Sequence, residues 1–289
     1  MLALQLAITG IQVGALYALT AAGFALIFAS TRVFHVAHGA TFVLAAYVFY
    51  SCISGGYGVA LAYVAASAAA VAFGVLMDRL IYAPIQRHEG SFFTVFVASL
   101  GVAIVVQNLV GVIFGRGFLM ITTSLSRSVK VIEGLYVAPM TLIALICTLA
   151  LLAVLHVLLK KTPIGSELRA LADNPELVRV FGLDPRWISS CAFAIGSLLV
   201  VPAAAITCAT SGLSPTIGGH VMLISLASAI VGGMGSVTGP LIAGFGLGLA
   251  ESLTLIAFDA QWSDGITFAA LFFFMMVRPS GLFGRTTIT

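Results

Sequence analysis

The chain has 289 residues, 61% of them hydrophobic and 8% charged, with a formal net charge of +3. A soluble domain carries about 25% charged residues, so a water-soluble fold is excluded, and so small a net charge argues neither for nor against nucleic acid; none is expected as a partner. A transmembrane β-barrel does not fit, because its strands alternate apolar and polar residues while 4–29 and 140–159 are apolar on every side. At about 20 residues per span, the length holds roughly eight to ten helices and modest loops. The expectation is an all-α polytopic transmembrane bundle, one domain over 1–289, with broken or half helices among its elements.

Charge and Gly/Pro punctuation predict spans near 5–29, 38–54, 58–77, 91–114, 135–159 and 187–210, two shorter segments near 220–232 and 239–256, and a last span near 265–278. The first charge is Arg32 and no basic region precedes 4–29, so this stretch is expected to stay as a span rather than be cleaved as a signal. Gly101 and Gly111 leave open a broken or re-entrant element within 91–114. With nine crossings, ten of the thirteen Lys and Arg fall on the side that holds 160–186 and the C-terminus, and Arg116, Arg127 and Lys130 fall on the other. The excess of basic residues predicts that 160–186 faces the cytoplasm and 115–133 faces out.

Individual polar residues stand out against this background. His35 and His38, beside Arg32, are read as hydrogen-bonding groups at the cytoplasmic ends of the first spans. Gln107 and Asn108 interrupt an apolar segment, as interhelical hydrogen bonds or as part of a path. From Trp187 to Ala250 there is no Lys, Arg, Asp or Glu, and Glu251 ends that run. An ionisable group inside a span is a functional candidate by default. The glycines of Gly232–Pro240 (Gly232, Gly233, Gly235 and Gly239) predict a helix break, whose half-helix end and free carbonyls suit a zwitterionic solute. Small residues spaced by three at Gly10/Gly14, Gly111/Gly115, Gly235/Gly239 and Gly244/Gly248 allow close helix packing. The cysteines Cys52, Cys147, Cys191 and Cys208 are dispersed and suggest no metal site.

The segment Lys160–Arg186 carries the most local information. Thr162-Pro163 and Asn174-Pro175-Glu176 read as N-cap and first-turn signals. Gly182 reads as the C′ glycine that closes a helix, and Asp184-Pro185 starts the next one. Two short helices follow, about 164–173 and 175–181. One has Leu168, Leu171 and Ala172 on its apolar face, and the other Leu177, Val180 and Phe181. Gly165, Glu167, Arg169, Ala170, Asp173, Asn174, Glu176 and Gly182 are the candidate residues of a shaped cytoplasmic surface for a partner. The chain has no phosphate-binding loop, so any ATP that drives it is bound by another polypeptide. No catalytic, metal or cofactor motif is present, and no enzymatic activity is expected.

Several stretches taken in order resemble the branched-chain amino acid ABC transporter permeases, the LivH-type subunit. They are GALYALTAAGFALIFASTRVFHVAHGATFVLAAY (14–47), DRLIYAP (78–84), ASLGVAIVVQN (98–108), TPIGSELRALADNPELVRVFGL (162–183), GLSPTIGG (212–219), AIVGGMGSVTGPLIAGFGLGLAES (229–252) and RPSGLFG (278–284). The resemblance implies that 162–186 is the coupling loop that docks onto a cytoplasmic ATPase. It further implies a second homologous permease (LivM-type), two ATP-binding subunits and a periplasmic solute-binding protein, in a bacterial inner membrane. Leu177-Val178 in place of small alanines, and Phe34-His35-Val36 before Ala37-His38-Gly39, depart from the usual pattern. Urea and short-chain amide permeases share it, so the solute stays open. An ion-gradient-driven secondary transporter is the alternative of another class, with Glu251 as the acid that would serve it.

Overall fold

The computed structural model describes residues 2–283 other than 89, 134, 234, 235, 237, 260, 261, 279 and 280. The chain forms α1 (Leu2–Thr31), α2 (His38–Ser54) and α3 (Val59–Leu76). A π-helical turn, Met77–Tyr82, carries α3 on into α4 (Ala83–Arg87). Then come α5 (Phe92–Phe114), a two-stranded hairpin of β1 (Val129–Ile132) and β2 (Leu135–Val137), and α6 (Pro139–Lys161). The short helices α7 (Pro163–Asp173) and α8 (Pro175–Val180) precede α9 (Pro185–Thr210), α10 (Ile217–Gly232), α11 (Thr238–Thr254) and α12 (Ser263–Val277).

Five helical stretches among the described residues are long and apolar enough to cross a membrane: α1, α3 through α4, α5, α6 and α9. By contrast α2, α10 and α11 have 17, 16 and 17 residues. At 1.5 Å per residue they are about 25 Å long, less than the ~30 Å of a hydrocarbon core. The bundle is therefore built from full spans and shorter elements, as the composition predicts. Two boundaries differ. The third span does not stop at 77 but runs on as one helical rod to Arg87, and the fifth begins only at Pro139, because 135–137 pair with β1. Pro139 at the first helical position fixes that start. The break left open within 91–114 is not there: α5 is continuous, and a Cβ at Gly101 would meet nothing within 4 Å.

The core is α1, whose middle is buried on all sides and which packs against α6, α9, α10 and α11. Glycine makes this possible. A Cβ at Gly14 would lie 2.8 Å from the Phe245 carbonyl oxygen, and one at Gly244 would lie 2.8 Å from the Ala18 nitrogen. Gly10 and Gly248 complete the same seam, so two of the predicted small-residue pairs meet each other across α1 and α11. Lipid supplies no hydrophobic drive for helix pairing, and this backbone proximity supplies dispersion contacts instead. The Gly111/Gly115 pair forms no such seam: Gly115 turns the chain at φ 80 with open space around it.

The two ends of the bundle are separately closed. Gln5 Nε2 donates to the Tyr136 carbonyl at 2.7 Å, holding the β-hairpin at the N-terminal end of α1. At the opposite end Arg32 reaches the Ala172 carbonyl in the last turn of α7. The basic 160–186 segment and the 115–133 segment therefore lie at opposite ends, as the charge count requires.

Candidate functional site

Between α1 and α2 the chain does not stay at the end of the bundle. Arg32 takes a positive φ of 57°, residues 32–35 have no regular structure, and α2 begins at His38. His38 Nε2 donates to the Thr20 carbonyl at 3.0 Å. Thr20 precedes Thr31 by eleven residues, or about 16 Å along α1, so residues 32–37 run back into the bundle before α2 starts. α10 also starts inside: His220 Nε2 lies 3.0 Å from the Tyr17 hydroxyl, beside the middle of α1. At Gly39 and Gly218 the first turns of α2 and α10 cross, each glycine facing the other's backbone; a Cβ on Gly218 would sit 2.6 Å from the Gly39 carbonyl oxygen. Irregular backbone at membrane depth is tolerated where it is enclosed by protein or lines a cavity.

A cavity of about 280 Å³ opens beside this crossing. Val36, Gly39 and Val43 form one wall, Leu100, Ile104 and Gln107 of α5 a second, and Gly218, Met222 and Leu223 of α10 the third. The surface is almost wholly apolar, with Gln107 its polar side chain. The first turns of two short helices thus border a cavity that suits an apolar side chain, and helix starts favour negative charge.

A buried polar cluster fixes the wall of this cavity. The Ala37 N–H donates to Ser99 Oγ at 2.8 Å, Ser99 Oγ is 2.7 Å from the Tyr82 hydroxyl, and that hydroxyl is 2.7 Å from His35 Nδ1. With Ser99 donating to Tyr82 and Tyr82 donating to His35 Nδ1, each hydroxyl proton has a partner. Both histidines are buried, so their hydrogen-bonding role holds, but they sit inside the bundle and not at its cytoplasmic edge. One π-turn earlier, Asp78 accepts from Ser189 and Ser190 in the first turns of α9, both at 2.7 Å. Asp78 is thus, like Glu251, an acid set in an apolar helical run. The rule that an ionisable group in an apolar run is functional by default would have found it.

The other predicted path residues do not gather here. Asn108 is exposed, donates back to the Ile104 carbonyl at 2.9 Å and is not among the residues that line the cavity beside Gln107. Glu251 is half-buried in the last turn of α11, whose Leu249 and Ser252 pack on Gly10 of α1. The Gly232–Pro240 break exists, and the carbonyls where it begins are already bonded. Gly233 turns at φ 106, Gly232 and Gly239 fill each other's Cβ space, and Val231 and Gly232 accept from the Leu282 and Phe283 N–H groups at 2.8 and 3.0 Å. The residues after α12 therefore complete the end of α10 there; Gly235 lies outside the described residues. Half-helix starts do occur, at 38 and 217 instead.

The segment 162–186 folds as the capping signals predict. Thr162 Oγ1 accepts from Gly165 N, Asn174 Oδ1 from Glu176 N and Leu177 N, and Asp184 Oδ1 from Arg186 N. Gly182, at φ 78, donates to Arg179 O, and Leu183 N donates to Val178 O, the paired bonds of a Schellman ending. Gly165 lets α7 press on the last carbonyls of α6, because a Cβ there would lie 2.5 Å from the Leu159 oxygen. Leu168 and Leu171 are buried; on α8 it is Val178 that turns inward, while Leu177, Val180 and Phe181 are exposed. Ala170, Asp173 and Asn174 of the first helix and Leu177, Val178 and Phe181 after it line an apolar groove of about 220 Å³. Arg169 and Glu176 are exposed beside it, and Glu167 is half-buried.

Residues 6–276 match the model of a family described as the branched-chain amino acid transport system / permease component. The chain belongs to this family. It is a multi-pass membrane protein and a transport permease. It is 26% identical, over 99% of its length, to the high-affinity branched-chain amino acid transport system permease protein BraD of Pseudomonas aeruginosa, of which 97% is covered. It is also 26% identical over 99% of its length to the LivH permease protein of Escherichia coli K12, with 96% of that chain covered. Among solved structures, PsaBC from Streptococcus pneumoniae in complex with Fab contains a chain with a TM-score of 0.54 at 16% identity, covering 96% of this chain and 92% of that one. That likeness shows the fold alone.

Proposed function

We propose that this chain is one permease half of an ATP-driven importer for branched-chain (hydrophobic) amino acids. The observation that carries the reading is the match over nearly the whole chain to relatives named as high-affinity branched-chain amino acid permeases. In this reading the protein is a single transmembrane domain of a bacterial inner (plasma) membrane. It pairs with a second homologous permease (LivM-type), and a periplasmic solute-binding protein delivers the solute. Two cytoplasmic ATP-binding subunits dock on 162–186, where the groove beside Phe181 receives an apolar side chain of the ATPase. Gly165 and Gly182 set the shape of that surface, and Glu167, Arg169, Asp173, Asn174 and Glu176 border it.

The solute passes the cavity between α2, α5 and α10. Its apolar wall accepts a leucine, isoleucine or valine side chain, Gln107 offers the amide, and the helix starts face the carboxylate. Urea and small amides lack the apolar group that this wall would bind. The test is uptake of labelled leucine, urea and acetamide by proteoliposomes holding the chain with its permease partner and ATPases, supplied with the binding protein. ATP-dependent uptake of leucine alone supports the reading. Urea or acetamide uptake in its place would reassign the solute, and uptake that ignores ATP but collapses with an ionophore would reassign the class.

A further inference from the structure

We propose that the π-helical turn Met77–Tyr82 is a relay between the helical hairpin of α7 and α8 (162–186) and the cavity wall, with Asp78 and Tyr82 as its positioning residues. The proposal rests on the importer reading above and adds a transmission element to it. π-turns are rare and recur at functional sites. Here the widened ladder is seen in Ala83 N–H bonding back to the Asp78 carbonyl, five residues earlier. The turn carries two buried polar side chains four residues apart, and each grips a different moving part.

Asp78 grips the hairpin side. Its two oxygens each take a 2.7 Å hydrogen bond, one from Ser189 and one from Ser190, and Arg79 Nε donates to Ser190 at 3.2 Å. Ser189 and Ser190 lie just beyond Asp184, the cap that joins α8 to α9. Between Gly182 and this cap there is no flexible linker: the Schellman ending closes on Leu183, and Asp184 already caps α9. A displacement of the hairpin therefore moves the two serines. A buried carboxylate held by short hydroxyl bonds follows them, because losing them strands a charge at high cost.

Tyr82 grips the cavity side. Its hydroxyl is 2.7 Å from both His35 and Ser99, and Ser99 holds the Ala37 N–H. These bonds fix residues 35–37 of the re-entrant segment. Val36 and Gly39, on either side of Ala37, line the cavity. Tyr82 and Asp78 are both buried, so neither bond set is exchanged with bulk water. One π-turn thus joins the exit of the hairpin to the cavity wall through short hydrogen bonds at each end.

The experiment uses the whole reconstituted complex and reads labelled leucine uptake and ATP hydrolysis in the same vesicles. Tyr82→Phe removes one hydroxyl and keeps the ring; Asp78→Asn keeps the shape and removes the charge. Both should co-purify with the ATPase as the wild type does and hydrolyse ATP within about twofold of it, while leucine taken up per ATP falls about tenfold, the loss expected from breaking a strong buried hydrogen bond. The double variant should be no worse than the worse single one, because two links of one relay are not additive. If Asp78→Asn does not assemble, Ser189→Ala with Ser190→Ala replaces it. Uptake per ATP unchanged in Tyr82→Phe, or a double loss equal to the product of the singles, overturns the relay. A wild-type complex that takes up no leucine with ATP instead overturns the importer reading, and the relay falls with it.

Discussion

The α7–α8 hairpin (162–186) and the α2–α10 crossing are both built from helix starts, and they are held in opposite ways. In the hairpin every start has a side-chain cap: Thr162 for α7, Asn174 for α8 and Asp184 for α9. At the crossing neither Ala37 nor Thr216 makes a side-chain cap bond. The Ala37 N–H is satisfied by Ser99, 62 residues away, and the crossing closes on Gly39 against Gly218. One region is encoded locally and leaves an exposed apolar face. The other is encoded by the whole fold and encloses a cavity. Damage to the first should spare the bundle and disconnect the partner, whereas damage to the second should cost the bundle itself.

The largest expected effect is at the crossing. Gly39→Val places a Cβ on the Gly218 carbonyl, and neither helix can withdraw from a packed core. A loss of about 3 kcal/mol or more is expected, seen as a large drop in the melting temperature of the solubilised protein. A wild-type melting temperature would mean that α2 and α10 do not cross here.

Next is the groove of the hairpin. Phe181 is 78% exposed, so Phe181→Asp should leave the melting temperature in place. It should weaken retention of the ATPase by tenfold or more, since burying an aromatic side chain is worth about 1.5–3 kcal/mol. Full retention in a pull-down at matched concentrations would remove the groove from the interface.

A smaller effect is expected at Gly182. Its surroundings are open, so a side chain would meet no atom, and only the backbone at φ 78 resists it. Gly182→Val should cost about 1–2 kcal/mol locally, leave insertion unchanged and lower uptake more than ATP hydrolysis. Equal uptake in wild type and variant would make the hairpin a solvated connector.

The smallest effect is at Gly101, in the middle of α5 with open space around it. There Gly101→Ala should be neutral or stabilise by about 0.5–1 kcal/mol. Destabilisation comparable to that of Gly39→Val would show that glycine content, and not the crossing, sustains the bundle.

What was legible in the sequence follows the same division. The apolar stretches located every span, because burial in lipid needs no partner to be recognised, but not the run of the third span on to Arg87, whose last turns are polar. The hairpin was legible down to its caps, since Thr162, Asn174, Gly182 and Asp184 act on residues within four positions of themselves. The re-entrant starts of α2 and α10 were not, because their bonds go to Thr20, Ser99 and Tyr17, far away in sequence. Local glycine density instead pointed to 232–240, where a break does occur and Leu282 and Phe283 bond to the Val231 and Gly232 carbonyls at its start. Gln107 and Asn108 could not be told apart from composition. Adjacent helical residues point about 100° apart, and only the packing of α5 decides which one meets the cavity.

That pair offers the most direct test of the claim that solute passes between α2, α5 and α10. In a background with Cys52, Cys147, Cys191 and Cys208 replaced by alanine, Gln107→Cys and Asn108→Cys place a thiol on neighbouring faces of one helix. A small methanethiosulfonate reagent should block leucine uptake in the reconstituted Gln107→Cys complex, and leucine with ATP and binding protein should slow that modification. The Asn108→Cys complex should keep its uptake in the presence of the reagent, with or without leucine. Equal responses at the two positions, or modification of Gln107→Cys that leaves uptake intact, would contradict the placement of the path.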